Sequence, residues 1–275
     1  MIKLKDLLPE DQPFPASLTK LTPWVDKIKQ ECPIAVKEFL DLDGVIRFYR
    51  GVKTKEMAIY HDPRGKFRRS KDSNNFSLLY SGINPDWENI PKRYSSVVFS
   101  TTRESAKEYG GHMGIYYVFV VGDPPVAFGK TADNYSNYQA GFKKASGISI
   151  GIESLDAYMG EVFSHVMGGN ESTINLDTMK TPLELKKALD SLEIELKDYV
   201  NFNDYGTERT IISGMKKLGV YGFLNTVFDP TLNEIQVRDL SGLDAEMDNV
   251  EIWTEAPVYL INEDYEKELI HLLTK

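Results

Sequence analysis

The chain has 275 residues, of which 41% are hydrophobic and 27% are charged, and these proportions are ordinary for a globular protein. Its 32 basic and 41 acidic residues leave a net charge of −9, which disfavours long-range attraction to nucleic-acid backbones or anionic membranes. The single cysteine, Cys32, excludes an intramolecular disulfide and every zinc site that needs two cysteine ligands.

The N-terminal region is predicted to be helical. Residues 17–42 carry apolar side chains at helical spacing, with an interruption near Pro33, which indicates one or two amphipathic helices that cap the core. From Gly44 the pattern changes to a run of β-branched and aromatic residues that ends at Gly51. That run predicts the first strand.

A strand followed by a helix is the next predicted unit. Residues 95–102 are rich in Val, Ser and Thr and form the second strand candidate. Residues 103–109 then predict a helix, with Thr101 or Thr102 near its N-cap. The strongest strand signal in the chain follows at residues 114–121.

The second half of the chain is predicted to be mainly helical before it returns to strands. Residues 125–128 continue the sheet after a turn, and residues 154–219 show helical spacing. Two strands are then expected, at residues 221–224 and 250–261. A short helix at residues 264–273 is the last predicted element.

Neither a membrane segment nor a secretory signal is expected. No window approaches 18 consecutive apolar residues, and residues 1–9 lack a long apolar core and a small-residue cleavage site. We therefore expect a cytoplasmic protein, in a reducing compartment, that does not act on a membrane.

The residue pattern does not favour metal or nucleophile chemistry. The four histidines are far apart in the sequence, and none lies four residues from another. The chain contains no Gly-x-Ser-x-Gly elbow, and no Gly-x-Gly-x-x-Gly follows a strand. The sequence therefore predicts no metal site.

Three polar features remain, and each lies on or at the end of a predicted strand. Arg50 closes the first strand, a hydroxyl cluster formed by Ser100, Thr101 and Thr102 ends the second, and Glu251 lies on a late strand. An arginine at a strand end can bind phosphate oxygens with two parallel hydrogen bonds, which lysine cannot copy. A fixed carboxylate can stabilise positive charge that develops on a sugar carbon.

With these residues the chain resembles the ADP-ribosyltransferases of the arginine, serine-threonine, glutamate class. The matching stretches are residues 48–51, residues 99–102 with 106–110, and residues 250–253. Residues 87–110 are also similar to uncharacterised tailed-phage proteins, and that likeness names no activity.

The resemblance implies one α+β domain over residues 1–275, with an ADP-ribosyltransferase-like split mixed β-sheet around an NAD cleft. Its expected parts are a helical cap at 1–43, the first half of the core at 44–150, a helical insertion at 151–219 and closing strands at 220–275.

The resemblance also implies a reaction. NAD would be the substrate, nicotinamide would leave, and ADP-ribose would pass to an unknown macromolecular acceptor, either protein or nucleic acid. Glu251, Ser100 and Arg50 are the implied catalytic residues. The implied NAD-binding residues are Arg50, Gly51, Ser100, Thr101, Thr102, Tyr109, Arg68 and Arg93.

Several alternatives remain open at this point. Asn249 stands two residues before Glu251, where the family usually carries Glu or Gln, so the resemblance does not imply an arginine acceptor. Glu153 and Glu161 are nearer to the hydroxyl cluster in sequence, although Glu161 is expected in a helix. A chain of this kind can instead be a non-catalytic, phage-type interaction protein with an acidic surface, acting in the host cytoplasm if phage-encoded. It can also be an enzyme that acts on another nucleotide.

Overall fold

An antiparallel sheet with helices packed against it organises the protein. The computed structural model describes residues 16–41, 47–68, 75–110, 114–129, 138–149, 152–168, 174–200, 206–243, 247 and 249–275. Across these segments, no helix has both the length and the apolar character that crossing a membrane requires. The α+β class predicted from the sequence is confirmed.

The strands described in the structure form one sheet. They are β1 (Tyr49–Gly51), β2 (Ala58–His61), β3 (Val97–Ser100), β4 (Ile115–Val120), β5 (Pro125–Phe128), β6 (Gln236–Asp239), β7 (Glu251–Thr254) and β8 (Val258–Asn262). Their order across the sheet is β2-β8-β4-β1-β3-β7-β5-β6. Strands from the middle and the end of the sequence are therefore neighbours at the centre.

The expected split mixed sheet is wrong on both counts for these strands. All of the pairings between them are antiparallel, and they form one continuous eight-stranded sheet. Strand direction depends on how the chain returns across the sheet, which residue periodicity does not encode.

Proline marks the start of two of the described helices. The described helices are α1 (Ala16–Glu31), α2 (Pro33–Leu40), α3 (Phe76–Tyr80), α4 (Arg103–Gly110), α5 (Gln139–Ser146), α6 (Ile152–Val166), α7 (Pro182–Asp198), α8 (Thr207–Leu218), α9 (Val220–Val227) and α10 (Glu266–Leu273). The interruption predicted near Pro33 is confirmed, since Pro33 is the first residue of α2. Thr181 and Glu184 form a capping box at the start of α7, which fixes where that helix begins.

The predicted strand at residues 221–224 is wrong, because these residues lie in α9. The buried side chains of α9 are Val220, Phe223, Leu224 and Val227, which recur at helical spacing. A four-residue window of aromatic and aliphatic residues cannot separate such a helix from a strand. The part of the chain expected to hold only closing strands therefore opens with a helix.

The sheet lies between two hydrophobic clusters. One contains apolar side chains of α1, α2 and α10, and the other contains those of α5 to α9. Consecutive residues of β7 join different clusters, with Ile252 in the first and Trp253 in the second. This is the alternation expected of a strand that is covered on both faces.

Close packing of α5 against α9 yields a stability prediction. A Cβ atom at Gly141 would overlap the backbone carbonyl oxygens of Thr226 and Val227, so Gly141→Ala must push the two helices apart. We expect this variant to lose about 1–3 kcal/mol of unfolding free energy. The matched control is Gly160→Ala in α6, where a Cβ meets open space and helix propensity favours alanine by about 1 kcal/mol.

Urea unfolding of both variants checks the prediction. Equal unfolding free energies for the two would contradict the close approach of α5 and α9.

Candidate active site

The three strands that carry the predicted polar features lie side by side. β1 pairs with β3 and β3 pairs with β7, and Ser100 lies opposite both Tyr49 and Glu251 in the register of these pairs. Arg50, Ser100 and Glu251 line one cavity of about 80 Å3. The other described residues that line it are Gly51, Arg68, Val98, Phe99 and Ala106. Residues up to 201 positions apart in sequence, Arg50 and Glu251, therefore meet at one site.

Glu251 is the acidic residue among those that line the cavity, and it is nearly inaccessible to solvent. Its Oε1 lies 2.8 Å from Nη2 of Arg93, and the two side chains are 4% and 5% exposed. A buried ion pair is tolerated only when its geometry offsets the cost of desolvating both charges. The conformation of Glu251 is therefore tied to that of Arg93.

Arg93 is held in place from several sides. Its guanidinium carbon lies 4.9 Å from the centre of the Trp253 ring, and the Trp253 Nε1–H donates to the carbonyl oxygen of Pro91 at 2.8 Å. The backbone N–H of Arg93 donates to Oγ of Ser81 at 3.2 Å. Arg93 is not among the described residues that line the cavity, although the sequence had placed it with the NAD contacts.

Arg50 and Arg68 bring positive charge to the cavity wall. Arg50 Nη1 donates to the backbone carbonyl oxygen of Val98, which fixes the guanidinium beside β3. Burial, followed by the nearby charge of Arg68, lowers the pKa of Arg50 to about 10, and the carboxylate of Glu251 acts in the opposite direction. The backbone N–H of Arg68 donates to the carbonyl oxygen of Tyr94 at 2.7 Å.

The charges around the cavity are unequal. Arg50 and Arg68 line it together with the carboxylate of Glu251, and Arg93 is paired with that carboxylate. Guanidinium groups bind carboxylate and phosphate oxygens through directed hydrogen bonds. The site therefore suits an anion, in a chain whose net charge is −9.

Thr101 and Thr102 have a structural task at the end of β3. The backbone N–H of Thr101 donates to the carbonyl oxygen of Val250 at 3.2 Å, and the backbone N–H of Val250 donates to Oγ1 of Thr101 at 3.0 Å. Thr102 Oγ1 and Ser105 Oγ both donate to Oδ1 of Asn249, at 3.0 and 2.9 Å. These contacts anchor the two residues before Glu251, and neither threonine is among the described lining residues.

Asn249 adopts a backbone conformation that suits its residue type. Its φ is +54°, in the left-handed region that asparagine enters more readily than most residues. Its side-chain oxygen already accepts the two hydroxyl hydrogen bonds from the start of α4. The residue that departs from the resembled family is therefore engaged in holding β7 to α4.

The other candidate residues are distributed differently. Tyr109 lies in α4, but its side chain is outside the described part of the chain, and so is that of Glu153. Glu161 lies on α6, where it is exposed. Among the described residues, no group of three His, Cys, Asp or Glu side chains is placed to hold a metal ion.

His61 is a residue near the site that the sequence did not reveal. It ends β2, a four-residue strand that was not predicted because so short a stretch does not show clear alternation. Burial, then the charges of Arg50 and Lys66, lowers the pKa of His61, and Asp62 opposes the change. The charge of Arg50 therefore contributes to the lowered pKa of His61.

Comparison with known proteins leaves the chain without a family. No family model matches it, and neither the curated proteins nor the solved structures include one with significant similarity to it. The comparisons therefore add no support to the function that the sequence resemblance implies, and the observations that bear on it are the geometry and charge of the site.

The Arg93–Glu251 pair yields a second stability prediction. Arg93→Met leaves a buried carboxylate without its cation, and we expect a loss of about 3–5 kcal/mol in unfolding free energy. The control is Lys186→Met, which breaks the exposed pair with Asp190 on α7, where the side chains are 52% and 48% exposed. That change should cost less than about 1 kcal/mol. Similar losses in both variants, measured by urea unfolding, would contradict the burial of the Arg93 pair.

The field of Arg50 at His61 can be measured directly. Arg50→Met removes a positive charge that lowers the pKa of His61, so we expect the pKa of His61 to rise. An NMR titration of the imidazole protons reports this value, with His61→Gln identifying the signal. Lys186→Met on the exposed face of α7 is the control and should leave the titration unchanged. The same titration curve in Arg50→Met and wild type would show that the charge of Arg50 does not affect the pKa of His61.

The direction of the His61 shift also fixes the sign of a pH effect. The pKa of His61 in the folded protein is below its unfolded value of about 6.5, so the unfolded chain binds the proton more readily. The contribution of His61 to stability is complete above about pH 6.5 and is lost as the pH falls through the folded-state pKa. We expect His61→Gln to reduce the loss of unfolding free energy on acidification. Chemical unfolding at several pH values tests this, and an unchanged slope would count against the prediction.

Proposed function

We propose that the protein transfers ADP-ribose from NAD to an acceptor and releases nicotinamide. The observation that carries the proposal is the meeting of Arg50, Ser100 and Glu251 at one cavity, on three adjacent strands. The resemblance in sequence implied that these residues act together, and the sheet register supports that grouping.

The positive excess at the cavity supports a substrate with phosphate groups. A pyrophosphate carries two negative charges, and Arg50 and Arg68 offer two guanidinium groups on the same wall. A bound pyrophosphate would offset the positive charge of Arg68, which adds to the effect of burial in lowering the pKa of Arg50. In the proposed complex, these two residues therefore bind the pyrophosphate of NAD.

The size of the cavity limits what it encloses. Its volume of about 80 Å3 is smaller than the roughly 150 Å3 of an engineered cavity that binds benzene. The cavity as it stands can hold a phosphate or one end of a ribose, so the proposed complex requires it to widen before the pyrophosphate and the nicotinamide ribose can both contact the residues that line it. The proposal places the bond between ribose and nicotinamide next to Glu251.

In this reaction Glu251 stabilises the positive charge that develops on the ribose. The bond between C1′ of the ribose and the nicotinamide nitrogen breaks, its electron pair leaves with nicotinamide, and positive charge builds on the sugar. A preorganised carboxylate stabilises that charge, more strongly at a site with little water. The acceptor atom then forms its bond to C1′ and releases its proton.

Ser100 lies beside Glu251 across the β3–β7 pair. Its Oγ accepts the backbone N–H of Thr102 at 3.1 Å, which orients the hydroxyl. In the proposed mechanism the hydroxyl of Ser100 donates a hydrogen bond to the ribose or to the carboxylate.

The proposed acceptor is a macromolecule. Because the side chain of Asn249 is already hydrogen-bonded to residues at the start of α4, we do not expect it to orient an arginine acceptor.

A second candidate is an enzyme that acts on a different nucleotide. The guanidinium groups of Arg50 and Arg68 favour any ligand with adjacent phosphates, and they do not by themselves select nicotinamide. A thermal-shift comparison of NAD with other nucleotides distinguishes the two candidates, since a bound ligand stabilises the folded state by mass action.

Nicotinamide release from NAD by the purified protein tests the proposal. We expect Glu251→Gln to retain NAD binding and to lower turnover by about 100-fold or more, since the side chain keeps its shape and loses its charge. Arg50→Met should weaken NAD binding by about tenfold or more, because it removes charge-assisted hydrogen bonds. Lys186→Met is the control and should behave as wild type. Cell extract supplies acceptors in a parallel reaction.

Three results would count against the proposal. Normal turnover by Glu251→Gln would show that the Glu251 carboxylate is not needed for the reaction. An absence of both nicotinamide release and NAD-induced stabilisation in the wild type would favour the interaction-protein alternative. Stabilisation by another nucleotide alone would favour the second candidate.

A further inference from the structure

We infer that Arg93 is a positioning residue, which holds the Glu251 carboxylate in its reacting orientation without contacting the substrate. The inference rests on the proposed function, in which Glu251 stabilises the ribose cation. It replaces the sequence-based expectation that Arg93 contacts NAD.

The placement of the two side chains separates their roles. Glu251 lines the cavity, whereas Arg93 is not among the described lining residues and forms a buried ion pair with Glu251 at 2.8 Å. With only 5% of its side chain exposed, Arg93 has little surface for a ligand to contact. Arg93 therefore affects the reaction through the position of Glu251.

Arg93 is rigid enough for this task because it rests on a column of aromatic rings. The Trp253 ring below it stacks with Trp87 at 6.4 Å between ring centres and 21° between planes, and Trp87 stacks with Tyr138 at 6.4 Å and 19°. The indole N–H of Trp87 donates to the carbonyl oxygen of Phe228 at 2.8 Å. The guanidinium therefore sits on a fixed part of the core.

The backbone of Arg93 is fixed independently of its side chain. Its N–H donates to Oγ of Ser81, and Ser81 Oγ donates to the carbonyl oxygen of Leu78 at 2.7 Å. Arg93 lies in a short 3₁₀ turn, Arg93–Ser95, that leads directly into β3. The strand that carries Ser100 and the cation that holds Glu251 thus come from one continuous segment.

A positioning cation solves a physical problem at this site. A lone carboxylate with 4% exposure would be strongly destabilised, and its flexible side chain could adopt several rotamers. Arg93 offsets part of the field of Glu251, but it fixes one carboxylate oxygen in space. A displacement of about 1 Å can cost about 100-fold in rate, which is the loss that a fixed orientation prevents.

The test is a double-substitution cycle in the full-length chain, with Arg93→Met, Glu251→Gln and the two together. Nicotinamide release is measured per folded molecule, with the folded fraction taken from the stoichiometry of ADP-ribose binding. We expect Arg93→Met to lower kcat by about 100-fold while the Kd for ADP-ribose stays unchanged. The double variant should be no slower than Glu251→Gln, because both changes remove one function.

Arg93→Lys and Trp253→Phe extend the test to variants that keep a cation beside Glu251. Arg93→Lys keeps the charge but loses the planar fork, and Trp253→Phe removes the indole below the guanidinium. We expect both to lose about tenfold in kcat with the Kd for ADP-ribose unchanged. If Arg93→Met fails to fold, these two variants decide the question.

The outcomes separate the two claims. If wild type releases no nicotinamide, the proposed function fails and the role of Arg93 fails with it. If wild type is active and Glu251→Gln is not, three results overturn the inference alone: normal kcat in the Arg93 variants, weaker ADP-ribose binding in them, or additive losses in the double variant.

Discussion

The buried ion pair between Arg93 and Glu251 is the interaction on which the site depends. It joins the segment that leads into β3 to the first residue of β7, and Trp253 of the same strand supports the arginine from below. An ion pair this deep is stable only if both partners are placed accurately. The fold supplies that accuracy through the β3–β7 register and through the hydrogen bonds of Thr101 to Val250.

The contrast between global and local charge defines what the protein can bind. A net charge of −9 repels a long polyanion, because the field of the whole molecule acts over many ångströms. At the cavity, Arg50 and Arg68 dominate a space of about 80 Å3, where screening by water is weak. Such a surface favours one small phosphate-bearing ligand over an extended nucleic acid or an anionic membrane. This charge distribution is compatible with the proposed transfer of ADP-ribose from NAD.

Much of the candidate site could be predicted from the sequence, because its residues mark strand ends. Gly51 after Arg50 and the hydroxyl run after β3 are local signals, and the strand character of residues 250–253 placed Glu251 on a strand. The partner of Arg93 could not be predicted, since an ion pair across 158 positions leaves no local pattern. His61 was missed because a four-residue edge strand has too few residues to show alternation. The helix at residues 221–224 and the antiparallel pairing were set by tertiary packing, which overrides short windows.

A crystal structure of the Glu251→Gln variant with intact NAD is the most direct test of the account. The account predicts the pyrophosphate on Arg50 and Arg68, and C1′ of the nicotinamide ribose near the side chain at position 251. The expected separation is about 4–6 Å, the range over which an opposite charge acts strongly. Arg93 should keep its position on Trp253 without touching the dinucleotide. NAD bound elsewhere, or bound with its nicotinamide ribose far from position 251, would contradict the account.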